Sequence, residues 1–129
     1  MPQIKVFLDE KAQQMISKDS FQYLAERLTI AVETAFGIQG ENDVAFDVFH
    51  IVYARNEAPV QIEVAYTAGA DEYARGQSFD PGESEQKEAI VLIVTAFYEF
   101  LRKERLPEIK PSVWILPHYR SQFAPGVIG

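Results

Sequence analysis

Two near-copies of one four-residue stretch constrain this chain more than anything else in it. Gln3-Ile4-Lys5-Val6 recurs as Gln61-Ile62-Glu63-Val64, with Pro2 directly before the first copy and Pro59 two positions before the second. Each copy opens a run of alternating apolar residues, Ile4, Val6 and Leu8 in one and Val60, Ile62, Val64 and Tyr66 in the other, the pattern of a strand with one face buried. Each is followed by a linker, one long helical pattern and a further β-rich run. Such an order is the signature of an internal β-α-β duplication, with repeats at about 1–56 and 57–129 in a single 129-residue domain.

The helical patterns are of two kinds. Phe21, Leu24, Ala25, Leu28, Ala31, Val32, Ala35 and Phe36 recur at three- and four-residue spacing, which makes one amphipathic face. Ser17 or Asp19 is expected to cap this helix and Gly37 to end it in the left-handed conformation. The second pattern starts near Asp80-Pro81-Gly82-Glu83, where Asp80 or Ser84 is expected to cap it, and runs to Arg102-Lys103-Glu104-Arg105, whose cations suit a helix C-terminus. Its apolar run Ala89-Ile90-Val91-Leu92-Ile93-Val94 covers most of the circumference, so this helix is expected to be buried on two sides, one of them at a subunit interface. Asp9 to Lys18 reads as loop or ragged helix start, and strands are expected over Val44 to Tyr53 and over Ser112 to Leu116. The segment Thr67 to Gly82 is the longest irregular stretch, expected to be a lid, part of a contact between subunits or a tolerated surface insertion; the proline- and glycine-rich tail from Pro117 is no helix and is expected to pack against something.

Composition excludes several classes of function. A net charge of −7 disfavours nucleic acid and anionic membrane as partners, because both recruit basic surfaces. Without cysteine there is no disulfide, no thiolate nucleophile and no cysteine-ligated metal. No histidine spacing or carboxylate cluster marks a metal site, and no glycine-rich phosphate loop occurs, so no cofactor is expected. The first residues carry neither the basic nor the apolar region of a secretory signal, and no apolar run reaches the roughly 18–20 residues that a membrane span needs. The expectation is a soluble, cytoplasmic protein.

Pro2 is the one residue with unusual chemistry. Once Met1 is removed, its nitrogen is a secondary amine fixed to the head of a strand. An α-amino group titrates near pH ~7.7–8.0 in water and an apolar pocket lowers that value, which leaves a neutral base at physiological pH. Such a base moves protons on carbon acids. Pro59 lies inside the chain, where its nitrogen is an amide without basicity. His50 and His118 read as packing residues, and Trp114 as core or interface.

The order β-α-β, β-α-β with a leading Met1-Pro2 resembles the tautomerase superfamily. Gly82-Glu83-Ser84-Glu85-Gln86-Lys87-Glu88 is similar to the glycine-arginine-serine-acidic-acidic-glutamine-lysine opening of the helix in 4-oxalocrotonate tautomerases, and Ser112-Val113 and Phe123-Ala124-Pro125-Gly126 are similar to that family's second strand and tail. Thr34-Ala35-Phe36-Gly37 is similar to fused, two-unit members such as malonate semialdehyde decarboxylase. Two positions depart from the pattern: Glu83 and Trp114 stand where the family carries arginines that hold an anionic substrate.

The resemblance implies an α/β fold in which two β-α-β units, each with a parallel strand pair, join into one four-stranded mixed sheet with two helices on one face. The other face is expected to be apolar and covered in a homotrimer. It further implies a tautomerase or isomerase acting on a small keto or enol acid, with Pro2 as catalytic base and Arg120 and Tyr119, then Arg75 and Arg55, binding substrate. A non-catalytic trimer that keeps the fold is the alternative. A ferredoxin-like regulatory module shares the element order but pairs its strands antiparallel throughout.

Overall fold

A computed structural model describes residues 2–38, 45–50, 59–68 and 80–119, the side chains of 45–50, 67, 68 and 119 excepted. In chain order the elements are β1 (Gln3–Leu8), α1 (Glu10–Met15), α2 (Lys18–Phe36), β2 (Ala45–His50), β3 (Val60–Ala68), α3 (Glu83–Lys103) and β4 (Pro111–Tyr119). The strands pair in the order β2-β1-β3-β4. Within each half the pairing is parallel, β1 with β2 and β3 with β4, while β1 and β3 meet antiparallel at the centre. Parallel neighbours require a crossover, which α2 and α3 supply. That pairing excludes the ferredoxin-like alternative.

The two near-copies lie against each other. Ile4 faces Val64, Lys5 faces Glu63 and Val6 faces Ile62, so the central ladder is built from the stretches that match in sequence. Alternation sorts their side chains: Ile4, Val6, Leu8, Val60, Ile62 and Val64 are fully buried beneath the helices, with Leu24, Leu28 and Val32 of α2 and Ile93, Phe97 and Phe100 of α3. The helices pack on each other through this core. Lys103 Nζ sits 3.4 Å from the centre of the Tyr23 ring, and an exposed Arg27–Glu99 pair at 3.5 Å adds little.

Several boundaries depart from the sequence expectation for physical reasons. Asp9 to Met15 is a separate short helix: the Asp9 carboxylate accepts from the Ala12 N–H at 2.7 Å, and Ala12 and Ile16 are buried against the sheet end. Among the described residues there are therefore three helices where two were expected. Ser17 caps α2 and Gly37 ends it at φ 65°, as expected. The N-cap of α3 is Gly82, with no side-chain cap bond, so neither Asp80 nor Ser84 fills that position.

Within a single copy, and among the described residues, α3 buries one stripe and leaves Val91 61% exposed. β3 and β4 run further than the alternation implied, into Thr67-Ala68 and through Pro117-His118-Tyr119. As β4 is an edge strand, and Pro111 and Pro117 share one parity, both prolines fit with their ring nitrogens on the unpaired side.

The sheet face away from the helices carries Gln3, Lys5 and Phe7 of β1, Gln61, Glu63 and Ala65 of β3, and Ser112, Trp114 and Leu116 of β4. It is mixed rather than apolar, contrary to expectation, because polar residues alternate with the buried set along β1 and β3.

Candidate functional site

Pro2 is buried, directly before β1. Since Gln3 faces Ala65 in the antiparallel ladder, continuing the register by one residue sets Pro2 across from Tyr66, on the face that Ile4 and Val64 share beneath the helices. Both crossover helices run antiparallel to the strands they follow, which brings the end of α2 and the beginning of α3 to this same end of the sheet.

Tyr66 is the centre of what gathers there. It is 2% exposed and packed by Phe36 and Ile38 from the end of α2 and by Ile115 from β4. The Phe36 ring stands edge-on to it with centroids 5.3 Å apart, a geometry worth about 0.5–1.5 kcal/mol beyond area burial. Gly37 makes this possible: its left-handed φ turns the chain so that Ile38 folds back, the Ile38 N–H donating to the Glu33 carbonyl at 2.9 Å. The Tyr66 hydroxyl accepts a hydrogen bond from Gln86 Nε2 at 2.7 Å, and the same amide reaches the Pro81 carbonyl at 3.4 Å. Gln86 thus ties the first turn of α3 to the sheet end, and it is the glutamine of the helix-opening stretch singled out in the sequence. A buried phenol without such a partner would cost about 1–3 kcal/mol.

The other expected site residues fall differently. Tyr119 is the last residue of β4, paired with Ala68, and so belongs to the Pro2 end of the sheet; it ends the strand rather than lying past it. Arg120, Arg75 and Arg55 lie outside the described residues. Of the two positions that depart from the family pattern, Glu83 is exposed and pairs with Lys87 Nζ at 2.9 Å, one helical turn on. Trp114 is 53% exposed on the outer sheet face, its indole N–H donating to Ser112 Oγ at 2.9 Å, so it is not a core residue of this chain. His118 is exposed, and the side chain of His50 lies outside the description.

Sequence reasoning missed Tyr66 and Gln86 as partners. The alternation that ends in Tyr66 marked it as buried, and a buried phenol demands a hydrogen-bond partner, which was the available signal. A groove of about 530 Å³, lined by Tyr98, Leu101, Arg102 and Leu106 among others, lies at the opposite end of α3 and takes no part in this site. Among the described residues no cluster of three or more histidines, aspartates or glutamates is placed to hold a metal ion, and no helix is long and apolar enough to cross a membrane.

No protein-family model matches the sequence, and no curated protein matches it. Solved structures do match the fold. A wild-type fused 4-OT asymmetric trimer is 15% identical at a TM-score of 0.63, with 96% of this chain and 92% of that one covered. Pt0534 inactivated by 2-oxo-3-pentynoate is 15% identical at 0.64, covering 96% and 91%. Malonate semialdehyde decarboxylase, described with decarboxylase and hydratase activities, is 15% identical at 0.59, covering 98% and 92%. The likeness runs over nearly the whole chain at identities that speak for architecture alone, and that architecture is the fold of fused 4-OT and malonate semialdehyde decarboxylase.

Proposed function

We propose that this chain is a tautomerase or isomerase in which Pro2, freed of Met1, is the base that takes a proton from the carbon next to a carbonyl of a small keto or enol acid and returns it elsewhere. The observation that carries this reading is the burial of Pro2 at the head of a central strand, in a fold shared with fused 4-OT and malonate semialdehyde decarboxylase. Burial beside an apolar cluster favours the neutral amine, which is the reactive form. The developing enolate oxygen needs a donor or cation, and Tyr119 and Arg120 are the first candidates, because β4 carries Tyr119 to the Pro2 end. Arg75 and Arg55 stand behind them. Inactivation of Pt0534 by 2-oxo-3-pentynoate, an electrophilic keto acid, supports the same substrate class.

The assembly we assign is a homotrimer in which neighbouring copies cover the outer sheet faces. The exposed indole of Trp114 on that face and the trimers of fused 4-OT support it. The duplication of a β-α-β unit, at about 1–56 and 57–129, accounts for the matching central strands.

Comparing ketonisation of a simple enol acid by protein with Met1 removed and with Met1 retained, the N-terminus fixed by intact mass, tests the reading. Turnover only by the processed form is expected. Equal inactivity of both would leave the non-catalytic trimer, which the exposed Glu83 in place of an anion-binding arginine favours. Equal activity of both would place the base elsewhere.

A further inference from the structure

Resting on Pro2 as the base, we propose that Tyr66, pinned by Gln86, is the positioning residue of this site: its ring is the wall that keeps water from the Pro2 nitrogen on the helix side. Four observations converge on it. The register sets Tyr66 across from Pro2 on the same face of the sheet, and both residues are buried. The ring is held from three sides, by Phe36 edge-on, Ile38 and Ile115. The hydroxyl is fixed at its far end by Gln86 Nε2 at 2.7 Å, so the ring is tied both to its strand and to the first turn of α3. The Gln86 amide in turn reaches the Pro81 carbonyl, which locks it against the chain entering the helix.

Fixing both ends of an aromatic ring removes its freedom to swing aside and admit solvent, and an amine kept from water loses part of the hydration that stabilises its protonated form. Tyr66 would act through Pro2 and has no role assigned in the proton transfer itself. The charged and titratable groups that the described elements bring to this end are Glu33 on α2, Asp80, Glu83, Glu85, Lys87 and Glu88 around the head of α3, and His118 and Tyr119 on β4. Glu33 is half-buried and the groups at the head of α3 and His118 are exposed to solvent that screens them, whereas the Tyr66 cluster is buried and desolvates what it covers.

The test is the titration of ¹⁵N-labelled Pro2 in protein lacking Met1, read by NMR beside the pH–rate profile for ketonisation. It is made in wild type and in Tyr66→Ala, Gln86→Leu and Tyr66→Phe. The wild-type midpoint is expected below the ordinary α-amino range of about 7.7–8.0. Tyr66→Ala should raise proton affinity at Pro2 about tenfold, with the acid limb of the profile moving by the same amount. Gln86→Leu and Tyr66→Phe, which both cut the hydroxyl–amide bond but keep a packed ring, should give smaller rises of similar size. If Tyr66→Ala does not fold, Gln86→Leu decides. A low wild-type midpoint that is unmoved in the folded variants overturns this inference and leaves Pro2 as base. Activity indifferent to Pro2→Ala removes the base, and the inference falls with it.

Discussion

The two ends of the central ladder have opposite fates although the same stretch of sequence leads into both. At the Pro59 end the Asp9 N–H donates to the Pro59 carbonyl at 2.9 Å, Asp9 caps α1, and Ala12 and Ile16 close over Leu8 and Val60. Leu8 and Val60 are fully buried there, and the proline nitrogen is an amide. At the Pro2 end the sheet runs on past the proline in β3 and β4, and the packing is done by an aromatic cluster that includes the Gln86–Tyr66 hydrogen bond. The two ends thus differ in kind: one is closed by a capped short helix, and the other is packed by aromatic rings around a hydrogen-bonded phenol.

The largest effects come from cutting into each end. Tyr66→Ala should cost about 3–5 kcal/mol and Leu8→Ala about 2–5 kcal/mol in denaturant unfolding, since both side chains are buried. Only the first should alter the Pro2 titration; a matching change in Leu8→Ala would break the division between the ends. Both helices end in a left-handed residue, Gly37 on α2 at the Pro2 end and Arg105 beyond α3 at the Pro59 end. Gly37→Ala should lose about 1–2 kcal/mol through backbone strain alone, because a Cβ there would meet nothing within 4 Å. Asp9→Ala, which strips the cap from α1, should cost about 1 kcal/mol in thermal unfolding and leave ketonisation unchanged. The smallest effect runs the other way: Arg105→Gly should gain about 0.5–1 kcal/mol by relieving a φ of 54° in a side-chain-bearing residue.

Much of the fold could be read from periodicity. Alternation in Ile4, Val6 and Leu8 and in Val60, Ile62 and Val64 marked both central strands, and the spacing from Phe21 to Phe36 marked α2 with its Ser17 and Gly37 boundaries. Helix α1 escaped because six residues with one buried alanine have no period to detect. The end of β4 escaped because Pro117 reads as a breaker, and only the order of strands reveals that an edge can hold it.

The candidate site was legible in Pro2 and in the stretch containing Gln86, but not in their relation. Tyr66 and Gln86 are twenty residues apart, and Tyr66 comes opposite Pro2 only when the antiparallel register is continued one residue past the Gln3–Ala65 pair, which no local pattern encodes. The apolar outer face was the opposite error. Strands read one at a time do not show that Lys5, Glu63 and Trp114 fall into one cross-strand row.

The most direct measurement is the rate of ketonisation of one enol acid by Pro2→Ala and Pro59→Ala, each verified by intact mass to lack Met1. Replacing the first proline should lower kcat/KM by about a hundredfold or more, and replacing the second should leave it at the wild-type value. Equal rates for the two variants would contradict the assignment of the base to the head of β1.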